Sequence, residues 1–128
     1  CLVAGIVAGI FAGMTSAFPG GQIPNVIDKF ITTNIMFLVM TLSYKLPFIK
    51  SLGDKVKDLI VTGIMMVVGT FVSGTIFLTA AQIIVGLPGN FTVLFMSVVV
   101  PAVAINLIVG VLIYKIVNVT VQKAILNA

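Results

Sequence analysis

The sequence has no histidine, no glutamate, no arginine and no tryptophan, and a single cysteine, Cys1. With one thiol and no imidazole, an internal disulfide and a zinc-type Cys/His site are both excluded. Acid–base chemistry is as poorly supplied. The only carboxylates are Asp28, Asp54 and Asp58, and no paired carboxylates at membrane depth or Ser–base–acid set can be assembled from what remains. An enzyme is not expected, and no cofactor is implied. Charge is scarce altogether: 8% of the 128 residues are Asp, Glu, Lys or Arg, against roughly a quarter in a soluble domain. A net charge of +4 does not point to nucleic acid, because Lys45, Lys50, Lys55 and Lys57 share one short stretch and no basic face with interleaved aromatics exists.

What is present is apolar. Ala, Val, Ile, Leu, Met, Phe, Trp, Tyr and Cys together make up 60% of the chain, and the mean hydropathy is +1.31. No charge interrupts residues 1–27, and none interrupts residues 59–114. A bilayer crossing needs about 20 apolar residues, so the second stretch holds two helices, divided where Leu87-Pro88-Gly89-Asn90 supplies a turn. The expected fold is an all-α, polytopic membrane protein in lipid. Residues 1–128 form a single transmembrane domain with helices at about 2–18, 24–44, 59–87 and 91–117. The chain opens inside an apolar run without a basic leader, which suggests truncation at the N-terminus.

Two patterns stand out within these helices. Ala4-Gly5, Ala8-Gly9 and Ala12-Gly13 repeat every four residues, the spacing that lets helix backbones approach closely in lipid. That row is expected to pack helix on helix, with a subunit-docking face as the alternative. The second pattern is a polar set converging on one membrane surface. Gln22, Asn25, Asp28, Lys29 and Asn34 come from the loop and second helix, and Thr75, Thr79 and Gln82 repeat at i, i+4, i+7 on the third. Asp28 is placed to face an ammonium, and Lys29 or the helix start at Pro24 to face a carboxylate, which suits a zwitterionic amino acid. Asn106 reads as a contact between helices. The sequons at Asn90 and Asn118 abut expected spans and read as chance matches.

The stretch Phe18-Pro19-Gly20-Gly21-Gln22-Ile23-Pro24-Asn25-Val26-Ile27-Asp28-Lys29, followed by Val68 to Leu78 and by Val85-Gly86-Leu87-Pro88-Gly89, resembles the bacterial tryptophan transport protein family. That family is similar to the substrate-binding S components of energy-coupling-factor transporters. The resemblance implies about six helices, of which these would be the last four, and tryptophan uptake across a bacterial plasma membrane. It also implies ATPase and transmembrane coupling subunits as partners, unless an ion or proton gradient drives the carrier. For tryptophan, Gln22 or Gln82 is the expected acceptor of the indole N–H, and Phe18 and Phe77 are the expected ring walls. A vitamin-specific S component and a non-transporting scaffold are the rival readings.

Lysine placement sets the expected topology. Residues 45–58 carry four lysines and the turn at residues 88–90 carries none, so residues 45–58 and the C-terminus with Lys115 and Lys123 face the cytoplasm. The Pro19 to Asn25 loop then lies outside, and Tyr44 and Tyr114 mark the inner interface. On a background lacking Cys1, Gly89→Cys should react with a membrane-impermeant thiol reagent in intact cells and Ser51→Cys should not. Labelling of Ser51→Cys from outside would reverse this orientation.

Overall fold

The computed structural model describes residues 1–126, with side chains to residue 122; Lys123, counted above, lies outside the described side chains. The described residues form helices joined by short loops. The helices are α1 (Leu2–Met14), α2 (Gln22–Lys45), the single turn α3 (Pro47–Lys50), α4 (Asp54–Ile84), the short α5 (Phe91–Leu94), a π-helical turn (Phe95–Val99) and α6 (Val100–Leu126). Among the described residues three helices are long and apolar enough to cross a membrane: Gln22–Lys45, Asp54–Ile84 and Phe91–Gln122. The first helix is shorter than the four-span expectation requires, since its 13 residues reach only about 20 Å.

The helix ends have local causes. The first helix stops at Met14 rather than near residue 18, where Thr15 turns its hydroxyl and its N–H back to the Phe11 carbonyl and Pro19 holds Phe18 away from helical geometry. α2 starts two residues before Pro24, which costs nothing because the first-turn N–H groups have no partner inside a helix. α4 starts at Asp54, five residues before the expected 59, with an acidic side chain at its positive end. It stops at Ile84 because Gly86 adopts φ +81° and returns its N–H to the Ala81 carbonyl. Asn90 caps α5 by accepting from the Thr92 N–H, a structural use for this sequon. The fourth span is interrupted by its π turn just before Pro101. Proline there lacks the N–H that Ser97 would receive, and a wider turn relieves the clash.

Packing proceeds in a row, α1 on α2, α2 on α4, and α4 on the π turn and α6. Small residues make each contact close. A Cβ added at Gly5, Gly9 or Gly13 would meet the α2 backbone at 3.0–3.3 Å, at Phe30, Val26 and Gln22. The glycine half of the repeated Ala-Gly row is therefore covered by α2. Gly69 accepts Met36 between α2 and α4, while Gly74 against Val99 and Gly110 against Met66 close the α4–α6 seam. At the lysine-rich end the Tyr44 hydroxyl donates to Asp58 at 2.9 Å, tying α2 to α4. Most large apolar side chains point outward, as expected where the solvent is lipid.

Gly9→Leu should push α1 from α2, because the first obstacle is the Val26 carbonyl oxygen, which cannot swing away as a side chain can. Loss of about 1–3 kcal/mol, read as lower folded yield and a lower detergent melting temperature, is expected. Gly89→Leu, at a site with nothing within 4 Å, is the control and should behave like the parent.

Candidate functional site

The loop between α1 and α2 is built by a turn written in the sequence. Phe18-Pro19-Gly20-Gly21 has proline at its second position and Gly20 at φ +72°, and the Phe18 carbonyl accepts from the Gly21 N–H at 2.8 Å. A Cβ at Gly20 would lie 2.8 Å from Val85, so glycine also lets the loop sit against the end of α4. The result places the Phe18 ring edge to face with Phe77, centroids 5.6 Å apart. Asn25 anchors the loop from the other side, its Nδ2 donating to Ser16 Oγ at 2.8 Å.

Below that aromatic pair lies a cavity of about 540 Å³ between α2, α4 and the fourth span. This is within the usual range of small-molecule sites, roughly 300–1,000 Å³. Asn25, Asp28, Lys29 and Thr32 form the α2 side, and α4 contributes the strip from Met65 to Leu78. The third wall is Leu94, Val98, Val99, Ala102 and Asn106, which the end of α5, the π turn and α6 present.

One charged group is deeply buried. Asp28 is 1% exposed, and its carboxylate accepts three side-chain donors: Lys29 Nζ at 2.6 Å, Ser73 Oγ at 2.7 Å and Thr32 Oγ1 at 2.7 Å. Lys29 Nζ also reaches Ser73 Oγ at 2.9 Å, so the ammonium, carboxylate and hydroxyl form a triangle bridging α2 and α4. The Lys29 side chain remains 36% exposed, with one ammonium proton unassigned. A charge in this setting persists only if it is paired and hydrogen-bonded, and both conditions are met. Further along α4, Thr70 donates its hydroxyl to the Met66 carbonyl at 2.7 Å and accepts from Asn106 Nδ2 at 3.0 Å.

The structure distributes the sequence-derived site residues unevenly. Phe18, Asn25, Asp28, Lys29 and Phe77 line the cavity. Pro24 is buried in the first turn of α2 and does not line it, while Gln22 lies on a shallow groove with Ile10, Gly13, Met14, Ile23 and Val26. Thr79 and Gln82 are exposed outside the cavity. The reason is rotational, since Thr75 stands two residues, or about 200°, from Ser73. Thr75 and Thr79 satisfy themselves by donating to the Phe71 and Thr75 carbonyls, and Asn34 does the same to Phe30. Ser73 and Thr70 are polar cavity residues that the sequence reading missed, and Asn106, read there as a contact between helices, also lines the cavity. The available signal was the row Met66, Thr70, Ser73, Phe77, which repeats at helical spacing on one face of α4.

Comparison with known proteins agrees on one family. Residues 1–122 match the family described as "Tryptophan transporter TrpP". The chain is 45% identical over 123 residues to a probable tryptophan transport protein of Clostridium perfringens, covering 96% of this chain and 68% of that protein. A protein of the same description from Clostridium acetobutylicum is 45% identical over 114 residues, 89% of this chain and 61% of the relative. One from Bacillus subtilis is 42% identical over 123 residues, 96% of this chain and 66% of the relative. The chain thus spans between 61% and 68% of the length of these curated relatives. No solved structure is a significant match. On the family match and these identities, the chain belongs to the TrpP family of tryptophan transporters.

Proposed function

We propose that this chain forms the substrate cavity of a carrier that takes tryptophan up across the bacterial plasma membrane. The Pro19 to Asn25 loop faces outward, and residues 45–58 and the C-terminus face the cytoplasm. The observation that carries the reading is the adjacent Asp28 carboxylate and Lys29 ammonium in the wall of a mostly apolar cavity. A zwitterionic amino acid has no net charge and neither has this pair, so binding adds no uncompensated charge to a space of low dielectric constant.

In this reading Lys29 turns its unassigned proton to the substrate carboxylate. The Asp28 carboxylate has roughly four lone-pair positions against three donors and keeps one for the substrate ammonium. Met65, Met66, Leu94 and Val98 enclose the indole ring, and Phe18 and Phe77 close the outer mouth. Names of the relatives support tryptophan as substrate. Separate ATPase and coupling subunits of the energy-coupling-factor type supply the energy. Asp28 is the carboxylate in the cavity wall, and its oxygens are already engaged by Lys29, Thr32 and Ser73.

Uptake of labelled tryptophan by cells expressing the full-length protein should be competed by unlabelled tryptophan and not by a panel of vitamins; competition by a vitamin would overturn the substrate. In titrations of the purified full-length protein, Asp28→Asn should weaken tryptophan binding at least about 30-fold, the cost of breaking a buried charged hydrogen bond. Asp54→Asn, at an exposed site, should not. The double variant Asp28→Asn/Lys29→Gln removes both charges together and should regain folded yield without regaining binding. Parent-like affinity in Asp28→Asn would take that residue out of the site.

A further inference from the structure

The cavity has a second polar station whose geometry leaves one atom without a partner. Thr70 commits its only hydroxyl proton to the Met66 carbonyl, so toward Asn106 it can act only as an acceptor. That fixes the amide: Nδ2 faces Thr70, and Oδ1 is left with no protein donor among the described residues. Asn106 lines the cavity. An amide at membrane depth is costly unless it faces a cavity or a partner, and here one end has a partner and the other has the cavity.

The position relative to the charged station matters as much as the free acceptor. Thr70 and Ser73 are three residues apart on one face of α4, so the two stations are separated by about one helical turn, roughly 5 Å. That is comparable with the span from the α-carbon of tryptophan to its ring nitrogen. Around the stations the wall is apolar, with Gly69 and Met66 beyond Thr70 on α4 and Val98 and Ala102 on the fourth span. We infer that Asn106 Oδ1 accepts the ring N–H of a bound indole and so is the residue that distinguishes tryptophan from aromatic substrates of similar shape without that donor. Thr70 is its positioning residue. This inference rests on the reading of the cavity as the tryptophan site. It assigns the N–H acceptor to Asn106 in place of Gln22 and Gln82, neither of which lines the cavity.

Asn106 is exposed in the open cavity, and a ligand that fills the cavity covers its amide, so an analogue lacking the donor leaves the covered acceptor unpaired. The test compares tryptophan with its benzothiophene analogue, in which sulfur replaces the ring N–H, by titration of the full-length protein. The parent should bind tryptophan about 10-fold more tightly than the analogue. Asn106→Leu should weaken tryptophan by about that factor, leave the analogue unchanged within about 2-fold, and so abolish the preference. Thr70→Val retains Asn106 but frees its amide to turn, and should lower the preference while sparing affinity for the analogue. If Asn106→Leu weakens both ligands equally, or if the preference survives it, Asn106 is a packing contact and the inference fails while the tryptophan site stands. If the parent binds neither ligand, the reading of the cavity falls with it.

Discussion

A carboxylate buried among apolar helices must be neutralised by its immediate neighbours, because burial removes the water that would otherwise solvate its charge. Asp28 meets that constraint through Lys29, Ser73 and Thr32, and much of the architecture follows from it. Two of the partners come from its own helix and the third crosses from α4. The charge network therefore also fixes how α2 and α4 sit against each other. A buried ion pair is a poor source of net stability, since desolvation offsets much of the attraction. What the pair leaves in the cavity wall is two opposite charges in fixed positions.

Around that network the bundle is held by close approach. Where lipid tails compete equally for large apolar side chains, helices gain most by bringing backbones together. The glycines do this at every seam: Gly5, Gly9 and Gly13 under α2, Gly69 under Met36, Gly74 under Val99 and Gly110 under Met66. Gly74 and the π turn are complementary. The wider turn ahead of Pro101 sets Val99 against α4, and only glycine leaves room for it. Val98 and Val99 of that turn stand in the cavity wall, so a break imposed by proline becomes part of the cavity lining.

Legibility differed between the fold and the site. Hydropathy and the absence of charge across residues 59–114 identified the long helices. The Pro19-Gly20-Gly21 turn and the Pro88-Gly89 break were readable because those residues restrict the backbone wherever they occur. Asp28 and Lys29 stood out in the sequence as the charges of a polar set at the start of the second helix, and the structure sets both in the cavity wall. The threonine stripe was different. Thr75, Thr79 and Gln82 form a regular polar row, yet they face outward, while Ser73 and Thr70 on another face meet the cavity. A threonine can satisfy its own hydroxyl against the preceding turn, so polarity in a membrane helix does not by itself indicate which face is inward.

By itself the sequence determined that this chain is a membrane protein, where its Pro-Gly turns fall, and which two charges stand apart in the second helix, because each of these follows from local composition and backbone chemistry. Only the tertiary structure decided that Asp28 is committed to Lys29, Thr32 and Ser73, that Gln22 and Gln82 lie outside the cavity, and that Asn106 stands in its wall bonded to Thr70. The physical reason is rotational. Neighbouring positions on a helix differ by about 100° in direction, and which direction is inward is set by the helices packed alongside, to which local sequence is blind.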